Sequence, residues 1–350
     1  MRRWNQGILL AMVLVILAGC GNNAASNQGK EGSSTAKAEG GRESIEGTLH
    51  FYTSQPDADA AKLVESFQAK YPEVKVETFR SGTEEVISKL KAERLAGDIQ
   101  ADVLLVADSV TFESLKEDDL LLSYKSPELS DIPQRFADSD GRYTGTKVMA
   151  TGLAVNTKNV KEMPTGWNVL TSDEAKGKIA MPSPLYSGAA AYNLGVLTRQ
   201  NDFGWDFYKK IETNDVSVTK GNGDVLKAVA GGEKNYGMIV DYLVARAKAE
   251  GSPVELVYPE EGVPVITEPI GIMNETDNQT AAKAFVDYVL SEEGQQLAAE
   301  LGYTPIRKGV EAPKGLKTIE EMNVIEADIS ELYQARETDK QKFEEIFGAQ

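Results

Sequence analysis

The sequence predicts an α/β fold built as two lobes, and three observations lead there. Short strand patterns alternate with amphipathic helical patterns along most of the chain, the order that gives parallel sheets covered by helices. The 350 residues are enough for about two domains. The alternation falls into two α/β blocks with no long polar linker between them, which implies lobes that share chain crossings.

Residues 47–53 place Leu49, Phe51 and Thr53 on one face, as a strand does. Residues 54–57 break the pattern, and Asp57 is expected to cap a helix in which Leu63, Val64, Phe67 and Tyr71 recur at helical spacing until Pro72. Val74, Val76 and Phe79 fit a second strand. Residues 81–83 then lead into a helix with Val86, Ile87 and Leu90 on one side. Residues 102–107 form a short apolar run, as expected of a strand buried on both faces. Further strands are expected at 152–156, 178–181, 236–240, 254–258 and 270–273. Helices are expected after Gly188, over 202–212 and 224–230, through Val244 and Ala247, and from near Thr280 with Ala284, Phe285, Tyr288 and Val289. A charged stretch, 319–347, reads as helical and is expected to dock through Ile325, Ile329, Leu332 and Tyr333.

Composition narrows the chemistry. Thirty-seven Lys and Arg stand against 54 Asp and Glu, a formal charge of -17, which disfavours nucleic acid or an anionic membrane patch as a partner. One cysteine and one histidine exclude a disulfide framework and a Cys/His zinc cluster, and leave little room for a His-dependent triad. No Gly-x-Ser-x-Gly elbow, His-Glu-x-x-His helix or Gly-Lys-Ser/Thr phosphate loop occurs. Carboxylate pairs are always available among 54 acids, so a secreted hydrolase stays the alternative from a different class. The expectation is a binding module and not an enzyme, without a cofactor or resident metal.

Arg2 and Arg3 precede an apolar run over 8–17, too short for a membrane span but suited to a secretory signal over 1–19. The run ends in Leu17-Ala18-Gly19-Cys20, which resembles the lipobox of bacterial lipoproteins, so Cys20 is expected to carry the lipid anchor. Removing residues 1–19 removes two arginines and takes the charge from -17 to -19. Residues 21–44 hold no Ile, Leu, Val, Met or aromatic residue and read as a flexible tether of roughly 27 Å. The expected location is the extracytoplasmic face of the cell membrane.

Several segments together resemble the extracellular solute-binding proteins of bacterial ABC importers, in particular the ferric-iron-binding-protein-like family. They are LHFYTS at 49–54, the turn SGT at 81–83, ADV at 101–103, VLKAVAGGE at 225–233 before YGMIVDY at 236–242, AAKAFVDYVLS at 281–291, and GYTPIR at 302–307. The resemblance spans roughly residues 46–347. It implies a type II periplasmic-binding-protein-like fold, a monomer with a ligand cleft between its lobes, hinge closure on the ligand and delivery to ABC permease subunits. The expected division is lobe 1 over 45–149 and 265–310, lobe 2 over 150–264, and a C-terminal helical segment over 311–350.

Within that frame the ligand is expected where strands give way to helices. Thr53 and Ser54, Ser81 and Thr83, and Ser187 and Gly188 make small polar loops, and 221–223 makes a fourth. Free N–H groups and the helix dipole at such places suit a compact anion, although each loop also reads as a cap or turn. Iron-binding relatives use two adjacent tyrosines after a strand like 236–240. Here Tyr242 takes the first position and Leu243 the second, while Pro56 or Asp57 stands near the usual histidine. A phosphonate or phosphorylated organic solute is therefore expected over ferric iron, which is the alternative within the class. Asp108 and Asp241 are candidates to accept hydrogen bonds from an amine or sugar hydroxyls; Asp241 reads equally as a helix N-cap. Tyr186 is a candidate aromatic wall, Tyr192 a core residue, and His50 a packed or partly exposed strand residue.

Overall fold

The computed structural model describes residues 44–348. The apolar run, Cys20 and most of the tether lie outside them. The chain opens with β1 (Gly47–Thr53), α1 (Asp57–Lys70), β2 (Val74–Arg80), α2 (Thr83–Ala96), β3 (Val103–Leu105), α3 (Ser109–Glu117), β4 (Thr144–Gly145) and β5 (Lys147–Asn156). It continues through β6 (Ile179–Pro182), α4 (Gly188–Thr198), α5 (Gly204–Thr213), β7 (Ser217–Thr219), α6 (Asn222–Ala230), β8 (Tyr236–Val240), α7 (Asp241–Ala249) and β9 (Val254–Val257). It closes with β10 (Val265–Ile266), β11 (Pro269–Ile272), α8 (Gln279–Leu290), α9 (Glu292–Glu300), β12 (Thr304–Pro305) and α10 (Ile329–Phe347).

Lobe 1 is a sheet in the order β2-β1-β3-β11-β4, with β1 parallel to both β2 and β3 and β11 antiparallel to β3. Lobe 2 follows the order β10-β5-β8-β6-β7, with β9 and β12 also paired to β5. Strand β5 joins the two lobes. Its first residues pair with β12 and β10, and Thr151 to Val155 pair with β8. The sequence suggested a strand over 152–156 alone. The structure extends it back to Lys147, because Val148 and Ala150 are buried in the lobe 1 core, Met149 in the lobe 2 core, and all three continue the ladder.

Each lobe has its own core. In lobe 1 the Phe285 ring of α8 packs 4.8 Å from both Phe51 of β1 and Phe67 of α1, while Val86, Leu90 and Phe112 fill the other face of the sheet. In lobe 2 Trp167 is fully buried and its ring N–H donates to Gly262 O at 2.8 Å, so the large apolar side chain leaves no polar atom unmatched.

Two expectations change. Asp57 is the first residue of α1 and makes no cap; Pro56 precedes it with φ -53, a value its ring favours at a helix start. The C-terminal helix begins at Ile329, with a single 3₁₀ turn at Ile319–Glu321 before it. Between them Val324 bridges Val263 in extended form, and the Asp328 carboxylate starts α10 by accepting from Ser330 N and Glu331 N. Ile325 and Leu332 are buried in the lobe 2 core, whereas Tyr333 stays 36% exposed.

Candidate functional site

Three helices begin at one place. Thr83 of α2 comes from lobe 1, and Gly188 of α4 and Asn222 of α6 come from lobe 2. Their first turns border one cavity of about 340 Å³ lined by both lobes. Each helix follows the carboxyl end of a strand, β2, β6 and β7 respectively. The first N–H groups of a helix have no partners within it and carry the positive end of its dipole. Three such ends around one cavity favour negative charge there.

The approach is close because two glycines permit it. A Cβ on Gly188 would sit 2.6 Å from Ala107 O and 2.9 Å from Thr83 Cβ, both across the cleft. A Cβ on Gly82 would lie 2.5 Å from the ring of Tyr186, which spans the mouth. Glu84 N donates to Tyr186 O at 3.3 Å, and the Lys220 ammonium lies 4.3 Å from the Tyr186 ring centre and 3.2 Å from Glu85 Oε1. The lobes therefore touch around the cavity.

Hydroxyl and amide groups fix the loops. Ser187 Oγ accepts from Ala190 N and from Asn222 Nδ2, each at 3.3 Å. Asn222 Oδ1 in turn accepts from Val240 N at 3.2 Å, so α4, α6 and β8 are tied together. Ser54 Oγ accepts from Ala107 N at 3.2 Å. Arg80, Lys220 and Lys227 bring positive charge to the rim, and Asp224 pairs with Lys227 at 3.1 Å.

The floor lies where the chain crosses between lobes and includes Met149, Tyr242 and Glu268. Glu268 is buried, pairs with Lys147 at 2.5 Å and has φ 35, a left-handed conformation that costs a non-glycine residue about 1–3 kcal/mol. Its carboxylate is a fixed acceptor in the cavity lining. Burial pushes the Tyr242 phenol up, so it stays a neutral hydroxyl; its ring lies 4.3 Å from that of Tyr303.

The structure brings Ser54, Thr83, Ser187, Gly188 and Tyr242 to the cavity lining. It does not bring the other four sequence candidates there. Thr53 is fully buried with Oγ1 donating to Leu105 O at 2.8 Å, and Ser81 is turned to Glu85. Asp108 is fully buried, caps α3 through Thr111 N at 2.9 Å and pairs with Arg336 at 2.7 Å. Asp241, expected at the cleft edge, is fully buried; it accepts from Tyr242 N at 2.8 Å and from the Tyr258 hydroxyl at 3.0 Å. That burial raises its pKa to about 7. Asp108 is thus spent on the start of α3, whereas Asp241 is the first residue of α7, follows the N-cap Val240 and makes no cap itself, contrary to the N-cap reading. His50 lies in β1 away from the cavity, 3.2 Å from Asp102 and 3.6 Å from Glu77.

Sequence reasoning missed the charges. Lys220 directly precedes the loop at 221–223 and was within reach of that argument. Arg80 and Lys227 carry no local signal, and Glu268 reaches the floor only because β10 and β11 cross between lobes. Pro56 and Leu243 also line the cavity, and neither offers a metal ligand. Among the described residues no group of three or more His, Cys, Asp or Glu is placed to hold a metal ion.

Comparison with known proteins gives consistent matches. Residues 98–330 match the family described as bacterial extracellular solute-binding protein. An uncharacterized protein of Haemophilus influenzae is 30% identical over 273 residues, covering 75% of this chain and 78% of its own. A probable ABC transporter periplasmic-binding protein of Sinorhizobium fredii, y4fP, is 26% identical over 271 residues and 74% of each chain. Among solved structures, the periplasmic binding protein AfuA of Actinobacillus pleuropneumoniae with exogenous fructose-6-phosphate bound superposes with a TM-score of 0.80 at 26% identity, over 87% of this chain and 99% of that one. Iron-bound HitA of Pseudomonas aeruginosa shares the fold, with a TM-score of 0.74 at 23% identity over 85% of this chain and 99% of its own. The two-lobed fold is thus that of type II periplasmic binding proteins.

Proposed function

We propose that this chain, which belongs to the bacterial extracellular solute-binding protein family, captures a small phosphorylated organic solute between its lobes and delivers it to the permease of an ABC importer. The observation that carries the reading is the convergence of the α2, α4 and α6 N-termini on one cavity. A phosphate or phosphonate group sits against those turns, with Thr83, Ser187 and Asn222 as polar neighbours and Lys220 closing from the rim. The organic part extends toward the floor, where Glu268 accepts from a hydroxyl or ammonium and Tyr242 can donate. The bound sugar phosphate of AfuA supports this class of solute. Pro56 and Leu243, at two places where iron-binding relatives supply ligands, speak against ferric iron as cargo. The protein acts as a binding module anchored through Cys20 on the outer face of the membrane, and nothing in the cavity assigns it a bond to break.

The test is a thermal-shift and calorimetric panel of fructose 6-phosphate, 2-aminoethylphosphonate, inorganic phosphate and ferric citrate. A phosphate ester or phosphonate at 100 times its dissociation constant should stabilise the protein by about 2.7 kcal/mol. A visible charge-transfer band with ferric citrate that disappears in Tyr242→Phe, with no response to the phosphorylated compounds, would replace this reading with iron capture.

A further inference from the structure

Helix α10 touches both lobes with two different chemistries. Toward lobe 2 it is apolar and acidic: Leu332 and Phe343 are buried in that lobe's core, and Glu331 and Asp339 pair with Arg199 of α4 at 3.1 and 2.8 Å. Toward lobe 1 it is cationic. Arg336 Nη1 lies 2.7 Å from Asp108 Oδ2, Arg336 Nη2 lies 3.0 Å from Glu84 Oε1, and Lys340 Nζ lies 2.6 Å from Glu84 Oε2. All four side chains are largely withdrawn from water, with exposures of 10% for Arg336, 14% for Lys340, 17% for Glu84 and 0% for Asp108.

The two acids have a particular position. Thr83 and Ala107 line the cavity, and Glu84 and Asp108 are the next residues along the chain. Two carboxylates immediately behind an anion site repel its ligand, and they do so strongly in a low-dielectric setting. Arg336 and Lys340 cancel both charges. Because these cations stand on a helix fixed to lobe 2, the cancellation needs lobe 1 to rest on lobe 2.

We propose that Arg336 and Lys340 are positioning residues of the solute site: they neutralise Glu84 and Asp108 behind the cavity only while the lobes are in contact, and so couple capture of an anion to closure. The affinity arm of the test below rests on the phosphorylated-solute reading; the exchange arm does not.

Hydrogen exchange is read without added solute. In Arg336→Gln with Lys340→Gln, amides 83–87 and 108–112 should exchange about fivefold or more faster, while amides 341–347, held by Phe343 in lobe 2, stay as protected as before. Fructose 6-phosphate, the probe, should bind about tenfold more weakly. Lys340→Glu alone should also weaken binding, and Glu84→Lys added to it should recover most of the loss, a rescue that lost packing would not show. If the double variant does not fold, Lys340→Gln alone serves, with smaller changes in the same direction. Unchanged exchange at 83–87 and 108–112 overturns the proposal, and so does an unchanged probe affinity. If the wild-type protein ignores every phosphorylated probe, the proposed function falls and the exchange result alone decides the role of the two cations.

Discussion

Substituting Gly188 by alanine separates folding from closure. The added Cβ would meet Ala107 O at 2.6 Å, where ordinary contact begins near 3.4 Å, so the lobes must part by about 0.8 Å at that point. The obstructing atoms, Ala107 O with Thr83 Cβ and Cγ2, belong to lobe 1, and Gly188 itself starts α4 in lobe 2. The protein without solute can relieve the clash by opening its lobes, so it should lose less stability than the solute-bound form. The closed, solute-bound form bears an overpacking cost of about 1–3 kcal/mol. That corresponds to a dissociation constant about 5- to 150-fold higher. Titration calorimetry with fructose 6-phosphate, or whichever member of the panel binds, gives the affinity, and a melting curve without solute gives the stability. Scattering at saturation should show less contraction than in wild type. An affinity within twofold of wild type would refute the reasoning, because it would mean that α4 does not press on lobe 1 in the bound state. A melting point that falls as far without solute as with it would refute it too, by placing the clash within the lobes and not in their closure.

Three more outcomes are expected. Arg246→Ala leaves the Asp59 carboxylate, 3% exposed and otherwise held by the Tyr303 hydroxyl at 2.6 Å, without its bidentate partner at 3.0 and 3.1 Å; the cost should be about 3–5 kcal/mol, or about 5–8 °C in melting temperature for a body of about 300 residues. A shift under about 1 °C would show the pair to be dispensable. Asp241 holds its proton in the folded state up to about pH 7 and releases it near pH 4 when unfolded, so this group's stabilisation is full below about pH 4 and is lost as pH rises through 7. Asp241→Asn should therefore flatten the fall in urea midpoint between pH 4.5 and 7.5, and parallel curves for the two proteins would contradict the assignment. Lys220→Ala should weaken binding of a phosphorylated probe by about three- to tenfold and lessen its salt dependence, since the ammonium is a rim charge in contact with water; equal salt slopes would remove Lys220 from the site.

Much of the site was legible in the sequence because its principal parts are local. A strand end, a small polar loop and a helix start follow one another within a few residues at 80–83, 182–188 and 219–222. Periodicity finds the helices, and small residues mark the turns. That was enough to single out Thr83, Ser187 and Gly188 and to expect an anion beside them. Leu243 beside Tyr242 and Pro56 after β1 are likewise read straight from the sequence.

What only the tertiary structure decided is which side chains share a space. Asp108 and Asp241 look like Glu268 in sequence, three acids near strand ends. Asp108 is taken up by the start of α3 and by Arg336, and Asp241 is buried against Tyr258, whereas Glu268 lines the cavity at a crossing between lobes. The C-terminal helix shows the same limit. Its heptad-like apolar residues announce that it docks, but Arg336 and Lys340 give no sign along the chain that they reach residues 228 and 256 positions away. The physical reason is range. Helix and strand patterns come from neighbours a few residues apart, while the charge a group carries and the partner it faces depend on burial and on contacts that exist only once the two lobes have packed together.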